Sequence, residues 1–377
     1  MGADDRSREV DLTGRPRAFH LLDLLRGLAA MSVITLHFPQ AFAPLVAQQA
    51  YLAVDLFFAM SGFVLAFAYD QRLRDGMSAG GFMVARLIRL YPFYVLALLP
   101  SLVEFAYAYR DEHINVQIGL SSVLNLLMIP APPMGLRDDP LFPANFVAWT
   151  LAFELLANLI YALSCRWLTG ARLTLLVAAS GLLVGLIALS RGDLNGGAYW
   201  FDLHLAVARV MFSFFLGVLL FRCHFAGRLP DWRGSAVLPV GATILALGLP
   251  VPDELRGLFD GACVLIVFPA LLIAAVSHPP RPRSGVATFL GDVSYPIYVL
   301  QIPVFNALVL GAPHLQPGLL ERAAPWSGLL GLVTLCGAVW WLLRYYDIPT
   351  RRWLVNRAGR QGTSRRAATA LFKNQLE

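Results

Sequence analysis

The feature that most constrains this chain is a succession of apolar blocks, each about 20 residues long, running along nearly its whole length. About 20 apolar residues are what an α-helix needs to cross the hydrocarbon of a bilayer. Backbone groups in lipid have no water to bond, so such blocks must close their hydrogen bonds internally. They are continuous and rich in Leu and Ala rather than alternating, which argues for helices against the strands of an outer-membrane barrel. Composition agrees: 57% of the 377 residues are hydrophobic and 14% charged, where a soluble domain carries about 25% charge. Mean hydropathy is +0.61. The expected fold class is all-α, a polytopic membrane bundle of about ten spans at 21–42, 50–69, 88–109, 145–164, 172–190, 203–221, 235–250, 257–277, 293–311 and 326–344.

Loop charge gives the orientation. With the N-terminus in the cytoplasm, the inner loops hold Arg72, Arg74, Arg86, Arg89, Arg166, Arg172, Arg222, Arg228, Arg233, Arg281 and Arg283, and the tail adds more. The outer loops hold only Arg110, Arg137, Arg191, Arg256 and Arg322. Both termini are therefore expected in the cytoplasm, with a segment 1–20, a membrane domain 21–350 and a basic tail 351–377 resting on anionic lipid. The first 18 residues mix Arg with Asp and Glu and lack the short apolar stretch of a secretory signal, so the first block is expected to stay as a span. In the long outer loop, 118–129 is apolar but too short to cross; it either lies on the surface or re-enters. The net charge of +6 has its cause in the inner loops, so no nucleic-acid partner is expected. Cys165, Cys223, Cys263 and Cys336 show no metal or redox spacing and read as packing residues; no metal site is expected.

Polar groups inside spans are costly and point to a site. The first span carries Asp23, Arg26 and His37. Arg26 and His37 are eleven helical steps apart, three turns plus about 20°, so they share a face about 16 Å apart along the axis. Asp23 lies one turn before Arg26 and can pair with it. The bland readings are that Arg26 snorkels to headgroups and that His37 ends the helix before Pro39; the shared face favours one cavity, with His37 suited to general base. The second span holds Asp55 and Ser61, and Ser61 lacks a nucleophile-elbow context. Arg86 and Arg89, at the expected start of the third span, are either topology signals or a clamp for phosphate. Trp149 and Glu154 lie in the fourth span, with Glu154 near mid-bilayer, where it could orient His37, bind a substrate hydroxyl or pair with an arginine, Arg209 of the sixth span being the obvious one. Ser294, Tyr295, Tyr298 and Gln301 make the ninth span a polar wall.

Taken in order, these residues resemble a known family. Leu22-Asp23-Leu24-Leu25-Arg26-Gly27 followed by His37 resembles the first-helix signature of the membrane-bound acyltransferase-3 family. Val54 to Phe63, Arg86-Leu87-Ile88-Arg89-Leu90-Tyr91-Pro92, Trp149-Thr150-Leu151-Ala152-Phe153-Glu154, Leu290 to Tyr298 and Asp347-Ile348-Pro349 resemble its later motifs, covering about 20–353. Two departures stand out: Thr150 replaces a usual Ser, and Gln301 stands where many members have a His.

The resemblance implies an integral O-acyltransferase of the bacterial cytoplasmic (inner) membrane. It would move an acyl group, typically acetyl, from cytoplasmic acyl-CoA, a co-substrate rather than a resident cofactor, to a hydroxyl of a sugar, glycan or glycolipid. It suggests His37 and Glu154 as catalytic groups and Arg26, Arg86 and Arg89 as acyl-CoA ligands. Asp23, Asp55, Ser61, Trp149, Arg209, Ser294, Tyr295, Tyr298 and Gln301 would line the acceptor cavity. The chain is expected to lack the extracytoplasmic hydrolase-like domain of some members. Direct transfer and an acyl-His intermediate both stay open, as do monomer and homo-oligomer. The rival reading is a transporter or flippase, which would more often show paired repeats and broken helices.

Overall fold

The computed structural model describes residues 19–110, 114–135, 138–232, 234–278 and 285–360. The N-terminal segment before Phe19, the tail after Arg360 and the loop arginines Arg137, Arg233, Arg281 and Arg283 lie outside the described residues. Regular structure among the described residues is helical, apart from one isolated bridge between Pro140 and Tyr199.

In chain order the helices are α1 (His20–His37), α2 (Pro39–Phe42), α3 (Ala53–Arg74), α4 (Ala79–Ala108), α5 (Asn115–Leu126), α6 (Ala148–Ser164), α7 (Gly170–Arg191) and α8 (Leu203–Phe225). They continue with α9 (Val237–Gly248), α10 (Asp253–Ala262), α11 (Phe268–Ser277), α12 (Gly285–Leu315), α13 (Leu319–Arg322), α14 (Trp326–Leu342) and α15 (Ile348–Arg360). A π-helical turn, Cys263–Val267, joins α10 to α11, and another, Leu343–Asp347, joins α14 to α15.

Each expected span coincides with one of these helices. Among the described residues, seven helical stretches are long and apolar enough to cross a membrane. The other three are α1, which carries Asp23, Arg26 and His37 in 18 residues, and α6 and α9, with 17 and 12 residues.

Several boundaries differ from expectation: α1 ends at His37 and not at 42, α12 begins at Gly285 and not at 293, and two further differences bear on the site. α4 begins at Ala79, where Ser78 Oγ accepts from Gly81 N at 3.1 Å, nine residues before 88. Arg86 and Arg89 therefore sit inside the helix and not at its start. The last span does not stop at 344: the π turn carries it on into α15, because a π turn absorbs the direction change without breaking the backbone ladder. The short stretch at 118–129 forms α5, which lies on α4; the hydroxyls of Tyr91 and Tyr94 donate to the carbonyls of Leu126 and Asn125.

Two parallel helix pairs organise the interior. α1 runs beside α12, with Asp23 at Gly291 and His37 at Gln301. α3 runs beside α8, with Asp55 at Arg209 and Asp70 at Arg222. The α3–α8 seam is backbone against backbone: a Cβ on Gly217 would lie 2.0 Å from the Ala59 carbonyl oxygen, and one on Gly62 2.0 Å from that of Phe214. Small residues allow such approach, which is how helices associate where lipid supplies no hydrophobic drive.

Candidate active site

Glu154 is held in the interior by side chains from two other helices. It projects from α6 between α3 and α4. Its Oε1 accepts from Ser61 Oγ at 2.5 Å and from an Arg86 terminal nitrogen at 3.0 Å. One turn along α6, the buried Asn158 amide, oriented to satisfy both partners, donates to the Glu154 carbonyl and accepts from Arg86 Nε, each at 3.3 Å. Arg86 thus spends two faces of its guanidinium on α6. Asn158 escaped the sequence reading because a lone Asn in an apolar helix gives no motif; its spacing of four from Glu154 is the signal that was available.

Arg209 is not the partner of Glu154. Its Nε and one terminal nitrogen grip Asp55 Oδ2 at 3.1 and 2.7 Å, while the remaining donors reach the carbonyls of Gly196 and Tyr51 at 2.8 Å each. Ser213 Oγ completes the shell on Asp55 at 3.2 Å. Both side chains are 1% exposed. Four of the five guanidinium N–H donors are used in this buried pair, which ties α3 to α8. Trp149 lies over it, with its ring 6.0 Å from the guanidinium carbon.

His37 closes α1. Its Nδ1 is 3.1 Å from Gln301 Oε1 on α12, and its ring lies edge-on to Phe146 and Phe38. His37 and Glu154 are held by different partners and do not bond to each other. Between them, Tyr298 shares a hydrogen bond with Thr150 at 3.1 Å. The Thr in place of the family's Ser keeps that hydroxyl. Ser294 Oγ bonds back to the Gly291 carbonyl of its own helix at 2.7 Å, and Tyr295 OH donates to the Leu90 carbonyl at 2.5 Å.

At the other end of α1, Arg26 pairs with Asp23 at 3.5 Å and lies in the field of Arg89, Glu154 and Asp292. Asp347, buried in the π turn after α14, holds Arg351 at 2.6 Å. Ile88 of α4 packs on Val355 of α15, which sets Arg351 close enough to feel Arg89. Arg89 itself makes no hydrogen bond or ion pair among the described residues. Arg26 and Arg351 thus each lie within electrostatic reach of Arg89 at this end, interleaved with the carboxylates of Asp23, Asp292 and Asp347; Arg351 was not foreseen.

Two further polar clusters lay outside the sequence reading. Asp70 accepts from Tyr161 OH at 2.7 Å, Arg74 at 2.8 Å and Arg222 at 2.9 Å, joining α3, α6 and α8. Asp260 accepts from Tyr51 OH and Leu194 N, both at 2.8 Å. Apart from the i,i+4 pair Asp70–Arg74, these partners come from distant parts of the chain, and no local spacing announces them.

Comparison with known proteins places this arrangement. A family model described as an acyltransferase domain, acyltransferase-3, matches residues 19–345. Acyltransferase MdmB of Streptomyces mycarofaciens is 28% identical over 86% of this chain and 89% of its own length. Exopolysaccharide production protein ExoZ of Rhizobium meliloti is 30% identical over 69% of this chain and 80% of its own. Protein 2 in the picA locus of Rhizobium radiobacter is 40% identical over 46% of this chain and 94% of its own. No solved structure matches. The match across nearly the whole chain, on the helices that carry Arg26, His37, Arg86 and Glu154, settles the family: this chain belongs to the acyltransferase-3 family of membrane acyltransferases.

Proposed function

We propose that the protein is an integral membrane O-acyltransferase that moves an acyl group, acetyl in the first instance, from cytoplasmic acyl-CoA to a hydroxyl of a sugar, glycan or glycolipid. The observation that carries this reading is the polar line along α1. Arg26 at one end is grouped with Arg89 and Arg351, and His37 at the other is held by Gln301. The extended pantetheine arm of a coenzyme A bridges the separation of about 16 Å between them. Phosphates would meet the guanidiniums, which suit phosphate oxygens, and the thioester would reach the histidine. With Arg86 bound to Glu154 and Asn158, Arg89 is the better donor ligand of that pair.

In the direct route, His37 Nε2 takes the proton of the acceptor hydroxyl as its oxygen attacks the thioester carbonyl. The carbon–sulfur bond breaks, an ester forms, and the coenzyme leaves as thiolate, which recovers the proton. Glu154 lies mid-bundle, where its second oxygen would bind an acceptor hydroxyl. The names of MdmB, an acyltransferase, and ExoZ, an exopolysaccharide production protein, support acyl transfer to such acceptors.

Ten crossings, with both termini in the cytoplasm of a bacterial inner membrane, form part of the proposal. Two parallel helices that both cross need an odd number of crossings between them. Between α3 and α8 the long helices α4 and α7 supply two, and α6 would be the third. Between α1 and α12 the five long stretches and α6 make six, and α9 supplies the seventh. The arginines at the α1 N-terminal side then face the cytoplasm.

The test is turnover by the purified protein in nanodiscs with labelled acetyl-CoA and candidate sugars. Label on the sugar with matching thiol release is expected. Substrate flux across vesicles that needs no coenzyme would instead establish the transporter reading.

A further inference from the structure

Gln301 is fully buried on α12, opposite the last residue of α1. Its Nε2 donates to the Tyr298 carbonyl at 2.8 Å. A carbonyl oxygen only accepts, so this bond fixes which way the amide faces. Oε1 is then turned to His37 Nδ1 at 3.1 Å. That oxygen also only accepts, so Nδ1 must carry the hydrogen. In a neutral imidazole the lone pair is then on Nε2.

We propose that Gln301 is a positioning residue: through the Tyr298 carbonyl it locks His37 as the Nδ1–H tautomer and presents Nε2 as the base toward the acceptor. Its catalytic meaning rests on the acyl transfer proposed above; the tautomer does not.

The choice of an amide has a physical consequence. Nδ1–H donates to Oε1 both before and after Nε2 gains a proton, so the bond survives the whole transfer without rearrangement. A carboxylate there would do the same but would add a charge that favours imidazolium. The groups against the ring are Gln301 of α12, Phe38 beyond α1 and Phe146 before α6, none of them titratable. Among the described residues no other polar side chain is bonded to His37, so Gln301 sets the tautomer there. Free histidine side chains favour the opposite, Nε2–H form, so the effect can be read directly.

The first measurement is 15N NMR of histidine-labelled protein in nanodiscs without substrate, with His37 assigned by difference against His37→Gln. Wild type should show Nδ1–H, and Gln301→Leu should revert to Nε2–H. In turnover, Gln301→Leu should lower kcat by about 10- to 100-fold, the usual scale for a residue that orients a functional histidine. Both KM values should stay within about threefold, since the affected group acts in the proton transfer and not in binding. Gln301→Glu should recover part of kcat and move the acid limb of its pH profile upward, which a merely space-filling role would not do. An Nε2–H wild type, or a tautomer indifferent to Gln301→Leu, would overturn the inference; so would a Gln301→Glu profile that superimposes on wild type. If Gln301→Leu fails to fold, the wild-type spectrum and the Gln301→Glu profile decide. Wild-type protein inactive with every acyl-CoA would count against the proposed function, while the spectrum still decides the role of Gln301.

Discussion

A histidine at the end of an apolar helix can take up a proton or merely end the helix, and its partners distinguish the two. His37 has one nitrogen engaged by a buried amide, an arrangement that costs a well-placed polar group and is superfluous for a helix stop. His37→Gln keeps hydrogen bonding and loses the base, so turnover should fall about 10²–10⁴-fold with thermal stability unchanged. Near-normal turnover would shift the base to Glu154. Arg86 and Arg89 should separate in the same assay. Arg86→Gln, which releases Glu154, should lower kcat at least tenfold at saturating donor, whereas Arg89→Gln should raise KM for acyl-CoA about tenfold with little change in kcat. Equal effects of the two substitutions on KM would mean that both bind the donor after all. The neighbouring residues were readable as polar positions in apolar helices, but their partners were not: Glu154 chose Ser61 and Arg86 because α6 descends between α3 and α4, and that is a matter of packing.

At the scale of elements, the α3–α8 seam is fixed by close backbone contact and by the Asp55–Arg209 pair. The expectation put both residues on a substrate cavity; in the structure both are buried and bonded to each other. Breaking one side of a buried pair leaves an uncompensated charge and costs about 3–5 kcal/mol. Arg209→Met should therefore markedly lower the unfolding midpoint in detergent. Asp55→Leu combined with Arg209→Met should recover much of it, because neither charge is then left alone. A stable Arg209→Met protein devoid of turnover would instead make Arg209 a ligand of the substrate. The long α4 makes a related point. Its start at Ser78 places Arg86 two turns inside the helix, within reach of α6, which loop charge alone could not show. Charge counting cannot distinguish an arginine at a helix mouth from one turned inward a turn or two later.

For the molecule as a whole, the proposed ten crossings, in which the short helices α6 and α9 also span, fit the parallel α1/α12 and α3/α8 pairs. Single cysteines placed in a background with the four native ones replaced should report this. Glu254→Cys, in the first turn of α10, should react with an impermeant maleimide added outside cells. Asp75→Cys, between α3 and α4, should react only after permeabilisation. Labelling of both from the same side would refute the ten crossings.

The sequence by itself determined that this chain is a helical membrane protein, in which order its helices follow one another, and which polar residues interrupt them. Those are local properties: hydrophobic run length, helical period and the order of motifs along the chain. The tertiary structure decided who pairs with whom. It closed Asp55 on Arg209, gave Glu154 to Ser61 and Arg86, brought Arg351 beside Arg89, and put Gln301 behind His37. These partners are up to 264 positions apart in sequence. Their meeting depends on which helices run parallel and how closely small residues let them approach, and no local pattern in the chain encodes that.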